Sequence, residues 1–216
     1  MVSILYLKTI LFQSYKKKID SGKTFARKFS LIEGWNARTL RNKLNTTSGL
    51  VGEVNLLKEG IYKPDTYNYS WGDTKLSLLK RMELEQRKVL DKYWLLRSNN
   101  EKISSKYKAL ILASIIEKET NKKSEAKLVS SVFVNRLKKN IKLQSDVTVA
   151  YGLNIPGDQL EKKHLEIKNN YNTYLNHGLP PSPISYPSEV SIEAAILPFK
   201  SDYIFFVADG KGGHRF

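Results

Sequence analysis

Between Asp73 and Asn140 apolar residues recur at spacings of three and four with almost no break, so the middle of this chain must be helical. The pattern predicts one helix from Asp73 to about Leu96 and a second from Lys106 to about Lys123. A third runs from Ser124 to Asn140 and carries Val129, Val132, Phe133 and Leu137. Strand patterns lie only outside this block. Thr24 to Glu33 alternates through Phe25, Phe29 and Leu31, and Gly34 and Asn36 then introduce a short helix through Leu44. An earlier amphipathic helix is expected from Ile4 to Ile19, closed by Asp20-Ser21-Gly22. A polar, Gly-containing stretch, Asn45 to Gly52, leads to the aromatic cluster Tyr67, Tyr69 and Trp71, and the domain boundary is placed in this region. The last third is punctuated by Gly152, Pro156-Gly157, Pro180-Pro181, Pro183 and Pro187, and Tyr203 to Val207 reads as a buried strand. The fold class that results is α+β: a small α+β unit over residues 1–50, then a mixed helical and β domain over 51–216.

The 216 residues carry 36 Lys and Arg against 21 Asp and Glu, a formal charge of +15, so the natural partners are anionic. Nucleic acid, phospholipid head groups and acidic cell-wall polymers all answer to such a field. The absence of cysteine excludes a disulfide framework, cysteine-ligated zinc and a thiol nucleophile. His164, His177 and His214 are scattered without close-ligand spacing, so no metal site is expected. The apolar stretch Val2 to Phe12 contains Lys8 and Thr9 and falls short of the roughly 20 residues a membrane span needs. It also lacks the basic lead and small-residue cleavage site of a signal peptide. No Walker or Rossmann glycine pattern occurs; Asp209-Gly210-Lys211-Gly212-Gly213-His214 reads equally as a hairpin turn or a ligand loop.

Helical spacing puts Glu117 on one stripe with Leu110, Ala113 and Ser114, so its carboxyl emerges from an apolar, small-residue face. A desolvated carboxyl there would hold a proton near neutrality and act as a general acid. On spacing alone the favoured reading is instead that it begins the polar end of the helix, continued by Glu119, Lys122 and Lys123. Glu119 points to a different face. Two clusters suit sugar recognition, Leu143-Gln144-Ser145-Asp146 before Tyr151-Gly152, and Tyr171-Asn172-Thr173-Tyr174. Both set amides and hydroxyls beside aromatic rings. The same residues would serve as loop anchors, and Asp146 as the cap of a helix from Val147 to Tyr151.

In order along the chain, Ala113-Ser114-Ile115-Ile116-Glu117-Lys118-Glu119-Thr120, Val132-Phe133-Val134-Asn135-Arg136-Leu137 and Leu143-Gln144-Ser145-Asp146-Val147-Thr148-Val149-Ala150-Tyr151-Gly152 resemble the endolytic murein transglycosylase family, the YceG or MltG type. Tyr171-Asn172-Thr173-Tyr174, Gly178-Leu179-Pro180-Pro181-Ser182-Pro183-Ile184 and Phe206-Val207-Ala208-Asp209-Gly210-Lys211-Gly212-Gly213-His214 continue the likeness, as do Ile32-Glu33-Gly34 and Pro64-Asp65-Thr66-Tyr67 upstream. Ser145 stands where the family commonly has Thr, and Ser182 where it has Gly.

The resemblance implies a lytic transglycosylase that cuts nascent peptidoglycan strands internally, with residues 1–50 a partial LysM-like unit and 51–216 the catalytic domain. It puts the catalytic glutamate at Glu117 and substrate contacts at Gln144, Asp146, Tyr151, Tyr171, Asn172, Tyr174, Asp209 and His214, with no cofactor. The implied partners are peptidoglycan glycan strands, the anionic membrane surface and peptidoglycan synthases, at the periplasmic face of the bacterial cytoplasmic membrane. The family's N-terminal membrane anchor and C-terminal helix find no counterpart in the sequence. One carboxyl suffices for this chemistry because the substrate's own C6 hydroxyl attacks the anomeric carbon. Glu117 would protonate the glycosidic oxygen, then take the C6 proton, leaving a 1,6-anhydro end. On this reading Glu117→Gln removes activity without loss of stability. The competing reading is a non-catalytic basic module for nucleic acid or an envelope polymer. Nucleic acid is the less expected partner, since the basic residues are spread from Lys8 to Arg215 rather than gathered on one face.

Overall fold

The computed structural model describes residues 27–97 and 101–216, together with 12, 13, 15 and 16. Apart from those last four, which are helical, the helix expected from Ile4 to Ile19 lies outside the described residues. The elements are β1 (Arg27–Leu31), α1 (Ala37–Thr46), β2 (Asp65–Tyr69), α2 (Lys75–Trp94), α3 (Lys106–Glu119), α4 (Ala126–Lys138), α5 (Asp146–Leu153), α6 (Glu189–Ile196), β3 (Val207–Ala208) and β4 (His214–Arg215). The fold is α+β, as expected, with helices dominant and two small antiparallel sheets.

In the smaller unit β1 pairs antiparallel with β2, Arg27 opposite Tyr69 and Leu31 opposite Asp65. The period-two alternation of β1 turns Phe29 and Leu31 inward onto Leu40 and Leu44 of α1, all essentially unexposed. Asn36 starts α1, its side chain accepting from the Thr39 amide. β2 went unmarked in the sequence, where Tyr67 and Tyr69 read only as an aromatic cluster. The pairing and the core beneath it draw on residues from both sides of position 50. Gly49, at φ +84°, supports the turn against Trp71, whose ring lies 2.6 Å from where a Cβ would sit.

The larger core surrounds α3. Every residue from Ala109 to Ile116 is buried, because α4, α5 and α6 cover the helix from different sides. The 20 residues of α2 span about 30 Å. Its first half gives Leu78, Leu79 and Met82 to the smaller core and its second half gives Val89 and Tyr93 to the larger, so one rigid rod joins the two.

The strand expected from Tyr203 to Val207 is corrected. Only Val207–Ala208 pairs, with His214–Arg215, and Tyr203, Phe205 and Val207 are exposed. Among the described residues no strand pairs with residues 203–206, and side chains take the Tyr203 and Ile204 carbonyls instead. Asn135 Nδ2 donates to the Ser201 and Tyr203 carbonyls and Arg136 Nε to that of Ile204. Among the described residues no helix is long and apolar enough to cross a membrane.

Candidate active site

Two glutamates stand at the C-terminal end of α3, two residues and therefore about 200° apart around the helix axis. Tertiary packing assigns them opposite tasks. The stripe containing Ser114 and Glu117 faces the segment from Ile184 to Ser191. Ser114 Oγ accepts from the Ile184 amide, and Glu117 Oε2 accepts from the Ser188 amide (2.9 Å), Ser188 Oγ (2.6 Å) and Ser191 Oγ (2.7 Å). Ser188 is the N-cap of α6, so Glu117 binds the first turn of that helix, where unpaired amides and the helix dipole favour a negative group. These three donors converge on a single oxygen, an arrangement that fastens α6 to α3.

Glu119, the last residue of α3, turns the other way, into a cavity of about 190 Å³ lined by Val132, Phe133, Arg136, Leu143, Gln144, Asp146, Tyr174 and Phe206. Burial pushes its carboxyl above the ordinary value of 4.5; the neighbouring Asp146 charge adds to this, while the Ser145 hydroxyl and His214 oppose it. Ser145 Oγ donates to Glu119 Oε1. Oε2 takes no protein hydrogen bond among the described residues and is not sealed off, so it is free to meet a ligand.

The cavity's polar rim is held rigidly. The Ser145 amide donates to Thr173 Oγ1 at 3.0 Å, and Thr148 Oγ1 lies 2.9 Å from the same hydroxyl, a wholly buried knot that aims Ser145 at Glu119. Arg136 clamps the chain before α5 through the Lys142 and Leu143 carbonyls and Gln144 Oε1, and Gln144 turns through the left-handed region at φ 51°. Tyr174 Oη donates to Asp146 Oδ1 at 2.6 Å; burial first, and that bond second, push the phenol's own proton affinity up. A greasy wall, a carboxyl with raised proton affinity and a few fixed polar groups suit acid–base chemistry on a polar, uncharged substrate.

The structure thus brings Gln144, Asp146 and Tyr174 together, but around Glu119 rather than Glu117. Tyr151 and Tyr171 line a separate cavity at the other end of α5. Asn172 does not face solvent at all: its Nδ2 donates to the Leu165 and Ile167 carbonyls and its Oδ1 accepts from the Tyr174 amide, which is the work of a loop anchor. Asp209 closes the β3–β4 hairpin by accepting from the Lys211 and Gly213 amides, so the glycine run is a turn. His214 Nδ1 lies 2.8 Å from Glu125 Oε2, and its ring packs edge-on against Phe206. It therefore supports the cavity wall from behind. Sequence reasoning missed Glu119 and Arg136 as site residues, and took Ser145 only as part of a sugar-binding cluster. The one local signal for Glu119 was its position as the final helical residue, just ahead of the break at Asn121.

A family model described as the YceG-like family matches residues 8–216. An endolytic murein transglycosylase of Bacillus subtilis (strain 168) is 39% identical over 155 residues, which is 71% of this chain and 42% of the relative. A protein of the same name from Streptococcus pneumoniae serotype 2 is 36% identical over 157 residues, 70% of this chain and 28% of the relative. The chain therefore spans less than half the length of these curated relatives. The crystal structure of a yceG-like protein from Listeria monocytogenes superposes with a TM-score of 0.74 at 30% identity, covering 94% of this chain and 77% of the other.

Proposed function

The chain belongs to the YceG-like family, and from that premise we propose that it is a peptidoglycan lytic transglycosylase that cuts glycan strands internally, with Glu119 as its acid and base. The observation that carries this is the Glu119 carboxyl, raised above its ordinary value inside a cavity whose rim is built from Gln144, Asp146 and Tyr174. Protonated Glu119 donates from Oε2 to the glycosidic oxygen between MurNAc and GlcNAc as that bond breaks. The MurNAc C6 hydroxyl closes on the anomeric carbon, and the Glu119 carboxylate, steadied by Ser145, recovers a proton from it. The product is a 1,6-anhydro-MurNAc end, no water is consumed, and strand length is limited. Asp146, exposed at the mouth, adds negative field beside the developing oxocarbenium charge.

The smaller unit, around β1, α1 and β2, takes the LysM-like place in this proposal. The setting is the outer face of the bacterial cytoplasmic membrane, with glycan strands as substrate and the +15 charge directed to anionic envelope surfaces. Digestion of purified sacculi with mass spectrometry of the new ends tests the activity. Anhydro ends from the parent and none from Glu119→Gln support the proposal. Anhydro ends from Glu119→Gln at the parent rate would sink the assignment of the acid, and no anhydro ends from well-folded parent would sink the reaction.

A further inference from the structure

A second cavity, of about 530 Å³, lies where α1 meets the C-terminal end of α5, within the range of roughly 300–1,000 Å³ usual for ligand pockets. Glu59 stands in its wall, and the chain turns beside it at Gly60, φ +78°, where Pro183 approaches too closely for any Cβ. Glu59 Oε1 accepts from the Ala37 amide at 2.9 Å and from Tyr151 Oη at 3.1 Å. Its Oε2 is buried with no hydrogen-bond partner, an acceptor for which the protein supplies no donor. Tyr151 and Tyr171 meet edge to face at 5.0 Å along the same wall. Arg38, exposed and with no ion pair among the described residues, stands at the rim with Asn154.

We propose that this cavity is a second glycan subsite, which holds sugar units of the same strand away from the bond cleaved at Glu119. The inference rests on the lytic transglycosylase reading. Arg38 and Asn154 meet a sugar's oxygens and the tyrosine rings take its apolar face, while Glu59, its Oε2 sealed from the cavity, holds Tyr151 in place from beneath. The placement favours a polymer over a small molecule. Ser145 and Asp146 at one end of α5 border the Glu119 cavity, and Tyr151 and Gly152 at the other end border this one. Eight helical residues span about 12 Å. The loop from Tyr171 to Tyr174, with one tyrosine in each cavity, reaches at most about 10 Å. A strand several sugars long occupies both cavities, and a single sugar occupies one.

The test compares glycan strands stripped of peptide: short fragments that fill one cavity, and long strands that reach both. In Arg38→Ala the ratio of kcat/KM on long strands to that on short ones should fall about tenfold, as expected for one lost hydrogen bond to a charged group. Arg38 is exposed, so its variant folds. In parallel, Glu119→Gln protein is titrated with an N-acetylglucosamine tetramer while backbone amide resonances are followed. Shifts at Gly152, Asn154 and Tyr171 support the subsite. Shifts confined to the Glu119 cavity, with an unchanged length ratio in Arg38→Ala, overturn it while leaving the reaction intact. A parent enzyme that produces no anhydro ends overturns the reaction itself.

Discussion

Exchanging Glu117 and Glu119 for Gln, one at a time, separates a structural carboxylate from a reacting one. Glu117 Oε2 holds three donors, two hydroxyls and one amide, at the start of α6. Hydrogen bonds to a charged group contribute about 1.5–3 kcal/mol each against about 1 for neutral ones, so making the group neutral costs roughly 0.5–2 kcal/mol per bond. One carbonyl oxygen accommodates two donors well, which strands the third, and the lost attraction to the helix dipole adds about 0.3–1 kcal/mol. The sum is about 3 kcal/mol. For a chain of this size, at about 2–4 °C per kcal/mol, the thermal midpoint of Glu117→Gln should fall by about 6–12 °C. Glu119→Gln should be as stable as the parent or more so. Its carboxyl is raised in the folded state, so the folded protein holds on to a proton that the unfolded chain releases above 4.5. Stability is therefore lost as pH rises from there through the raised value, and an uncharged amide avoids that loss. Activity should fall by a factor of about a hundred to ten thousand in Glu119→Gln. In Glu117→Gln it should survive wherever the protein remains folded. Calorimetry with anhydro-end counting reads both. Unchanged melting with abolished turnover in Glu117→Gln would refute the assignment and restore Glu117 as the acid.

Three further outcomes follow from the same geometry. Turnover needs the Glu119 proton, so activity should decline toward alkaline pH with a midpoint above 4.5, a limb that disappears from the residual rate of Glu119→Gln; a midpoint at or below 4.5 in a kcat/KM profile would contradict the buried setting. Asn172→Ala removes two donated bonds and one accepted bond inside a sealed loop and should cost about 3 kcal/mol in a denaturant titration; unchanged stability with lost turnover would instead put Asn172 at the substrate. Arg136→Lys keeps the charge but loses the planar fork that reaches the carbonyls of Lys142, Leu143 and Ile204 together, so stability should fall by about 2 kcal/mol and amide exchange at residues 142–144 should quicken.

The helical middle of the chain was legible without coordinates, because its elements are local and each leaves a periodic trace. The predicted helices of 73–96, 106–123 and 124–140 appear as Lys75–Trp94, Lys106–Glu119 and Ala126–Lys138, trimmed where Thr74 and Ser105 cap and where the helices end. The motif blocks that named the family were likewise a property of the residues alone. Strand pairing was not, since β1 and β2 are joined across more than thirty residues of intervening chain, and neither β2 nor α6 announces its partner locally. The choice between Glu117 and Glu119 was out of reach for a sharper reason. Amphipathicity tells which face of a helix is buried only when another face is wet, and α3 is buried on all sides from Ala109 to Ile116. What distinguishes its two glutamates is the company each keeps. The α6 N-terminus supplies donors to Glu117, and the α5 entry with the Phe206 wall encloses Glu119. Those neighbours lie from about 25 to 87 residues away in sequence, so only the packed chain could assign the roles.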